Sequence, residues 1–331
     1  MDDRTDNESL IRTILVPEDN YADVMNTTVL PFLERVRTVK SLSLRDGCDL
    51  NIVRYTPDEV TPKGSILIIH GFTESTEKYR ELCYYFVKAG YIAIAYDQRG
   101  HGRSTREVAD PHLTHVEKFQ DYVDDLAEVI ASELKDPALP SYLFAHSMGG
   151  AVSALYLEQH PDNIFRKAVL SSPMIAPARG GFPLWFSKAI MGTFSAFGQK
   201  RKRIFLSKPP EGREDPATSA NDSLARFEFY QDMKVGYKEY SNNGPTYKWT
   251  LESLNVTKKI LKKGLPERIK TPLLFFIGGN DNVVLTEKIA EFAARVPGAT
   301  VKHIPDCRHE IYYGVNAVLE DYLPAVLDFF A

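Results

Sequence analysis

The chain has 331 residues, of which 44% are hydrophobic and 25% charged, with a formal net charge of −4. This is an ordinary composition for a soluble globular protein of one large or two small domains, and the mild acidity argues against a nucleic-acid binder. Three cysteines, Cys48, Cys83 and Cys307, are too few and too scattered for a disulfide framework or a zinc cluster and read as reduced thiols of a cytoplasmic protein. No run of 18 apolar residues and no apolar stretch behind a basic leader occurs, so neither a membrane-spanning helix nor a signal peptide is expected. Peripheral contact with the inner face of a membrane stays open, as does the oligomeric state.

Residues 1–37 read as a polar lead-in with a few apolar anchors, Ile11, Ile14 and Leu15. Residues 38–44 and 50–55 alternate in polarity, and Arg45-Asp46-Gly47 between them is a hairpin signal. From Ser65 the pattern changes to strand, helix, strand, helix, with helical segments at 79–89 and 119–134. This alternation implies a doubly wound, mostly parallel sheet with its functional loops at the carboxyl ends of the strands. The continuous apolar run 65–69 fits a central strand buried on both faces and ends in His70-Gly71-Phe72. The next strand, 91–96, ends in Asp97-Gln98-Arg99-Gly100-His101-Gly102-Arg103-Ser104, where Asp97, Arg99 and His101 read as turn-fixing residues.

The most informative run is Tyr142-Leu143-Phe144-Ala145-His146-Ser147-Met148-Gly149-Gly150. An apolar strand enters a serine flanked two positions away by small residues, and a helical segment follows. This is the form of a nucleophile elbow, with Ala145 in place of the usual first glycine. The helix start directs free N–H groups to where negative charge develops. One oxyanion donor is expected at the N–H of Met148 and the other at that of Phe72.

Two further strand ends carry candidate partners. The run 273–277 leads into Gly278-Gly279-Asn280-Asp281, and 300–304 leads into Pro305-Asp306-Cys307-Arg308-His309. Serine, acid and histidine then fall in the order Ser147, Asp281, His309, each after a strand. Asp281 is preferred to Asp306, whose side chain would have to fold back within one short loop. Cys307 reads as a packing residue, His303 and His309 lack metal-binding spacing, and the turn around His112 and His115 has no cysteine partners. Neither a dinucleotide fingerprint nor a P-loop is present, so no cofactor or metal is implied.

The alternation breaks after Ser171-Ser172-Pro173. Residues 174–270 are read as a mainly helical cap inserted into a core of residues 38–173 and 271–331; so long a stretch does not stay unstructured in a compact fold. Aromatic residues from Phe182 to Phe197 could line an acyl pocket, although most should pack the cap itself. The basic run Lys200-Arg201-Lys202-Arg203 reads as a solvated helix face, with a lipid headgroup as the alternative.

The strings around His70, Asp97 and Ser147 resemble the serine-hydrolase group that includes monoacylglycerol lipases and bacterial lysophospholipases. Ala109-Asp110-Pro111-His112, Phe119-Gln120-Asp121-Tyr122-Val123-Asp124-Asp125-Leu126, the Ala145 elbow and Gly244-Pro245-Thr246-Tyr247-Lys248-Trp249 are most similar to the lysophospholipase L2 branch. The resemblance implies an α/β-hydrolase fold, cofactor-free ester hydrolysis with Ser147, Asp281 and His309 as the triad, and a small lipid ester as substrate. Monoacylglycerol or general carboxylester hydrolysis, acyl transfer to another alcohol, and a non-catalytic ligand-binding protein are the alternatives.

Overall fold

A computed structural model describes residues 3–178, 180–210 and 212–331. Ten strands are present among them: β1 (Arg37–Ser43), β2 (Asp49–Tyr55), β3 (Ser65–Ile69), β4 (Ile92–Tyr96), β5 (Leu113–Thr114), β6 (Ser141–His146), β7 (Phe165–Ser171), β8 (Gly244–Pro245), β9 (Leu273–Gly278) and β10 (Thr300–Ile304). Eight of them form one sheet in the order β1-β2-β4-β3-β6-β7-β9-β10. The β1–β2 hairpin and its pairing to β4 are antiparallel, and every pairing from β4 to β10 is parallel. This is the α/β-hydrolase fold that the sequence predicts.

The unbroken apolar runs of β3, β6 and β9 follow from cover on both faces. Leu67, Leu143 and Phe275 pack on one side with Tyr122, Leu126 and Leu155, and Ile66, Phe144 and Phe276 pack on the other with Phe86, Leu323 and Val326. Successive strand side chains point to opposite faces, so a strand with two covered faces has no polar positions to spare.

The first 35 residues, read from the sequence as a lead-in, are helical over Asp3–Ile14 and again from Tyr21 to Arg35. Tyr21, Met25, Val29 and Leu33 recur every four residues and are buried in one core cluster. Asn7 donates to Asp328 of the C-terminal helix at 2.7 Å.

The inserted segment is built on helices Leu184–Phe194, Leu224–Gly236 and Tyr247–Ile260. It is tied to the core where β8 pairs with β5 and where the Thr246 N–H reaches the Thr114 carbonyl at 3.0 Å. The basic run lies past the helical residues 184–199 rather than on a helix, and Lys200, Arg201 and Lys202 are exposed. Lys200 and Arg201 converge on Glu117 at 2.9 and 3.0 Å, and Arg203 donates to Asn243 at 2.9 Å. In the 97–104 turn, Asp97 accepts from the N–H groups of Thr76 and Arg103 and from Asn51, so it fixes the turn to its neighbours. Arg99 holds Asp125 through two bonds of 2.6 and 2.7 Å.

Glu158, near the end of helix Met148–Gln159, is buried, and neither carboxyl oxygen has a hydrogen-bond partner among the described residues. Burial pushes its carboxyl up to about 8, against the attraction of Arg295. The folded state therefore keeps a proton that the unfolded chain releases above about pH 4.5, and stability is lost as pH rises from there through about 8. Glu158→Gln removes that loss. Thermal melts should show the variant more stable than the parent by about 2 °C or more at pH 9, and the two equal near pH 4.5.

Candidate active site

Strand β6 delivers Ser147 to the head of helix Met148–Gln159 with φ 51° and ψ −117°, a conformation that side-chain-bearing residues seldom adopt. Gly149 is required at that turn, because a Cβ there would lie 2.3 Å from the Ile69 carbonyl oxygen. Ala145 is fully buried on β6 between Ile69 and Leu170, where a methyl is accommodated.

The loops after β9 and β10 bring the other two residues to the serine. Ser147 Oγ lies 2.8 Å from His309 Nε2, and His309 Nδ1 lies 2.7 Å from Asp281 Oδ2. An ionised carboxylate can only accept, so Nδ1 carries the proton and Nε2 is free to accept from the serine hydroxyl. Asp281 also accepts from the N–H groups of Val283 and Val284 at 2.9 and 3.2 Å. Burial pushes the Asp281 carboxyl up, but the bond and charge of His309 and these two N–H groups outweigh it and hold it below its ordinary value. Asp306 and His303 stand outside this chain of bonds; His303 pairs in register with Ile277 on the edge strand β10.

Phe72 follows β3, and its loop crosses close over the serine. A Cβ added at Gly71 would lie 3.1 Å from the Ser147 Cβ. Four donors converge on Glu74: the Gly71 N–H at 2.6 Å, Tyr79 at 2.7 Å, Lys78 at 2.8 Å and Tyr312 at 2.9 Å. Burial pushes the Glu74 carboxyl up, yet the Lys78 ammonium, His146 and these bonds hold it well below the carboxylate range. The Phe72 ring stacks on Trp249 of the inserted segment at 3.9 Å, and Trp249 donates to Tyr122 at 3.2 Å. Met148 opens the helix that follows the serine. Met148 and Phe72 thus flank Ser147 on two elements, and neither backbone N–H has a protein acceptor among the described residues.

Sequence reading missed Glu74, Lys78 and Trp249 as parts of this site. The one local hint was the four-residue spacing of Glu74 and Lys78, which suits an ion pair on a helical turn. Lys78 also binds Glu310 at 2.6 Å, beside a polar cavity of about 170 Å³ lined by Thr73, Asn221 and Gln231 among others. The His146 ring sits 4.7 Å from the His309 ring. Burial pushes His146 down to about 3, so it stays neutral there, with Nδ1 donating to the Ser171 carbonyl.

Comparison with known proteins agrees with this geometry. The family described as serine aminopeptidase, S33, matches residues 60–314. The chain belongs to this hydrolase family. It is similar to lysophospholipase L2 of Escherichia coli (strain K12), with 31% identity over 284 residues, covering 80% of this chain and 79% of that protein. A probable lysophospholipase L2 of Haemophilus influenzae is 27% identical over 324 residues, covering 95% and 98%. Among solved structures, a soluble variant of monoglyceride lipase from Saccharomyces cerevisiae, in complex with a substrate analog, superposes with a TM-score of 0.71 at 19% identity. It covers 89% of this chain and 95% of that one, and at this identity the likeness speaks for the fold alone.

The close pass of the 71–74 loop over the serine yields a test in this hydrolase. A methyl at Gly71 would lie 2.7 Å from Glu74 Oε2 as well as against Ser147. Gly71→Ala should therefore displace the loop and slow labelling of Ser147 by a fluorophosphonate at least tenfold, on the order of losing one oxyanion donor or more. Mass spectrometry of the labelled protein over time gives the rate.

Proposed function

We propose that the protein is a serine hydrolase that cleaves the carboxylic ester of a single-chain lipid, a lysophospholipase, through an acyl-enzyme. The hydrogen-bonded chain from Ser147 through His309 to Asp281 carries this reading. Ser147 Oγ attacks the ester carbonyl carbon and its proton passes to His309 Nε2. The N–H groups of Phe72 and Met148 hold the oxyanion. The tetrahedral species collapses, the bond to the alcohol breaks, and His309 gives its proton to the departing alkoxide. Water then adds to the acyl carbon and yields a proton to His309; the bond from that carbon to Ser147 Oγ breaks, His309 returns the proton to the serine oxygen, and the fatty acid leaves. Asp281 holds the imidazole in the tautomer that these steps need.

Similarity to lysophospholipase L2 supports the lipid class, and the polar cavity beside Thr73 and Lys78 suits a small hydrophilic headgroup. Each buried methylene contributes about 0.8 kcal/mol, so acyl length should dominate over any one headgroup contact. Three buried free thiols fit a reducing, cytoplasmic compartment. Among the described residues no helix is long and apolar enough to cross a membrane. A peripheral contact is proposed instead through residues 181–210, which hold six Lys or Arg and no Asp or Glu. Within them Trp185 is 71% and Phe197 79% exposed. An apolar, basic face of this kind suits anionic lipid.

Four measurements test these readings. Ser147→Ala should abolish hydrolysis of lysophosphatidylcholine and lysophosphatidylethanolamine with an unchanged melting temperature. Asp281→Asn should lower kcat by orders of magnitude, about 10⁴-fold by the precedent of the wrong tautomer; a loss under tenfold would point to another acid. A preference for acetyl or butyryl esters over long-chain substrates would leave a short-chain esterase. For the membrane contact, Trp185→Ser with Phe197→Ser should weaken co-sedimentation with phosphatidylglycerol vesicles several-fold while leaving hydrolysis of a water-soluble ester intact.

A further inference from the structure

His309 sits on a loop that the inserted segment grips from both sides. The Arg308 N–H donates to Asp222 Oδ2 at 2.7 Å, and the Glu310 N–H donates to the Ala220 carbonyl at 3.1 Å. The Asn221 amide donates to the Tyr313 carbonyl at 2.8 Å and to Glu310 Oε2 at 3.3 Å. The Arg308 guanidinium returns to the Ser219 carbonyl at 3.0 Å and to Asp222 Oδ1 at 3.3 Å. The gripping stretch 219–223 is itself held from behind at its end. Ser223 donates to Glu18 at 2.5 Å, and Arg226, with no exposed surface, holds Glu81 at 2.7 and 2.9 Å.

We infer that Asp222 is a positioning residue for His309. Its carboxylate fixes the backbone immediately before the histidine, which sets the imidazole between Asp281 and Ser147. An N–H that bonds an ionised carboxylate makes roughly twice as strong a bond as one to a neutral acceptor, so this contact dominates the grip. A displacement of about 1 Å of a catalytic group can cost on the order of 10²-fold in rate. The helix wall of the insertion and the catalytic base are in this way mechanically joined, and Asp222 is the joint. The inference rests on the proposed role of His309.

Asp222→Ala in the full chain tests it, with a long-chain lysophospholipid as substrate. The expected result is a kcat lowered by about tenfold to a hundredfold with KM within twofold, and a parallel fall in the fluorophosphonate labelling rate. The downfield proton resonance of the His309 Nδ1–H bond should broaden or shift, which a merely structural role would not produce in a protein that melts normally. Asp222→Asn keeps an acceptor for the Arg308 N–H and should restore kcat to within about threefold. Arg308→Gln, which keeps the backbone N–H, should do no worse. An Asp222→Ala protein that melts as the parent with unchanged kcat and resonance overturns the inference. If that variant does not fold, Asp222→Glu moves the carboxylate by one methylene and keeps its charge; a tenfold loss of kcat supports the inference, and a kcat within twofold overturns it. Absence of labelling in the unaltered protein would instead defeat the serine-hydrolase reading itself, so the two failures are distinct.

Discussion

Ser147 is held in backbone space that costs of order 1–3 kcal/mol for a residue with a side chain, and the neighbouring strands supply what keeps it there. Its N–H reaches the Ser171 carbonyl at the end of β7, and its own carbonyl accepts from Met174 at 2.8 Å and from Ala151. The next turn of the helix is wedged between strand ends: a Cβ at Gly149 would strike the end of β3, and one at Gly150 would lie 2.4 Å from the Pro173 Cβ. β6 lies between β3 and β7, so the two clamps come from its two sheet neighbours. The loop that carries Phe72 follows β3, and the segment that leads into helix Leu184–Phe194 follows β7. Both leave the sheet beside the serine because the sheet order puts them there.

Around this turn the polar groups are buried in fixed protonation states. His70 accepts the Gln98 N–H on Nε2, so its Nδ1 donates to the Gly71 carbonyl and braces the loop that carries Phe72. His146 stays neutral beside His309, so it adds no positive charge when His309 takes the serine proton. Glu74 is ionised and accepts four hydrogen bonds, which suits a buried carboxylate whose desolvation must be offset. The charges around the serine are in this way set by the fold, which is the kind of preorganisation that an acyl-transfer reaction proposed at this serine would use.

Ser147 and Asp281 were legible because each follows an apolar run, and a buried strand ending in a polar residue marks the carboxyl edge of the sheet; His309 was legible by its order after them, since β10 is a largely exposed edge strand. The hairpin, the turn at Asp97 and the alternating core were legible for the same local reasons. The first 35 residues were not, because Asn, Thr and Asp between the buried positions lower helix propensity and hide the stripe of Tyr21, Met25, Val29 and Leu33. Trp249 and Asp222 were illegible in principle. Trp249 stacks on a residue 177 positions earlier, and Asp222 grips a loop 86 positions later. The basic run misled because its partner, Glu117, lies in a core loop about 83 residues before Lys200, where no helical period points.

The insertion is held with unequal strength along its length, and the inequality bears on how a lipid could enter. Residues 219–236 are anchored by the fully buried Arg226–Glu81 pair, where removing one partner costs about 3–5 kcal/mol, and by the grip on the His309 loop. Residues 184–203 are attached by the small cluster of Met191, Tyr247 and Leu254, by the Phe194 ring stacked on Tyr247, by backbone bonds from Tyr247 and Lys248 to Lys202 and Lys200, and by the exposed pairs of Lys200 and Arg201 with Glu117, each pair worth about 0–1 kcal/mol. Among the described residues the 184–203 stretch holds no fully buried ion pair. That half also carries the exposed aromatic and basic side chains, so an apolar surface meeting it would act on the weakly held part. The grip on the His309 loop lies in the other stretch, so the exposed surface and the grip are carried by separate parts of the segment.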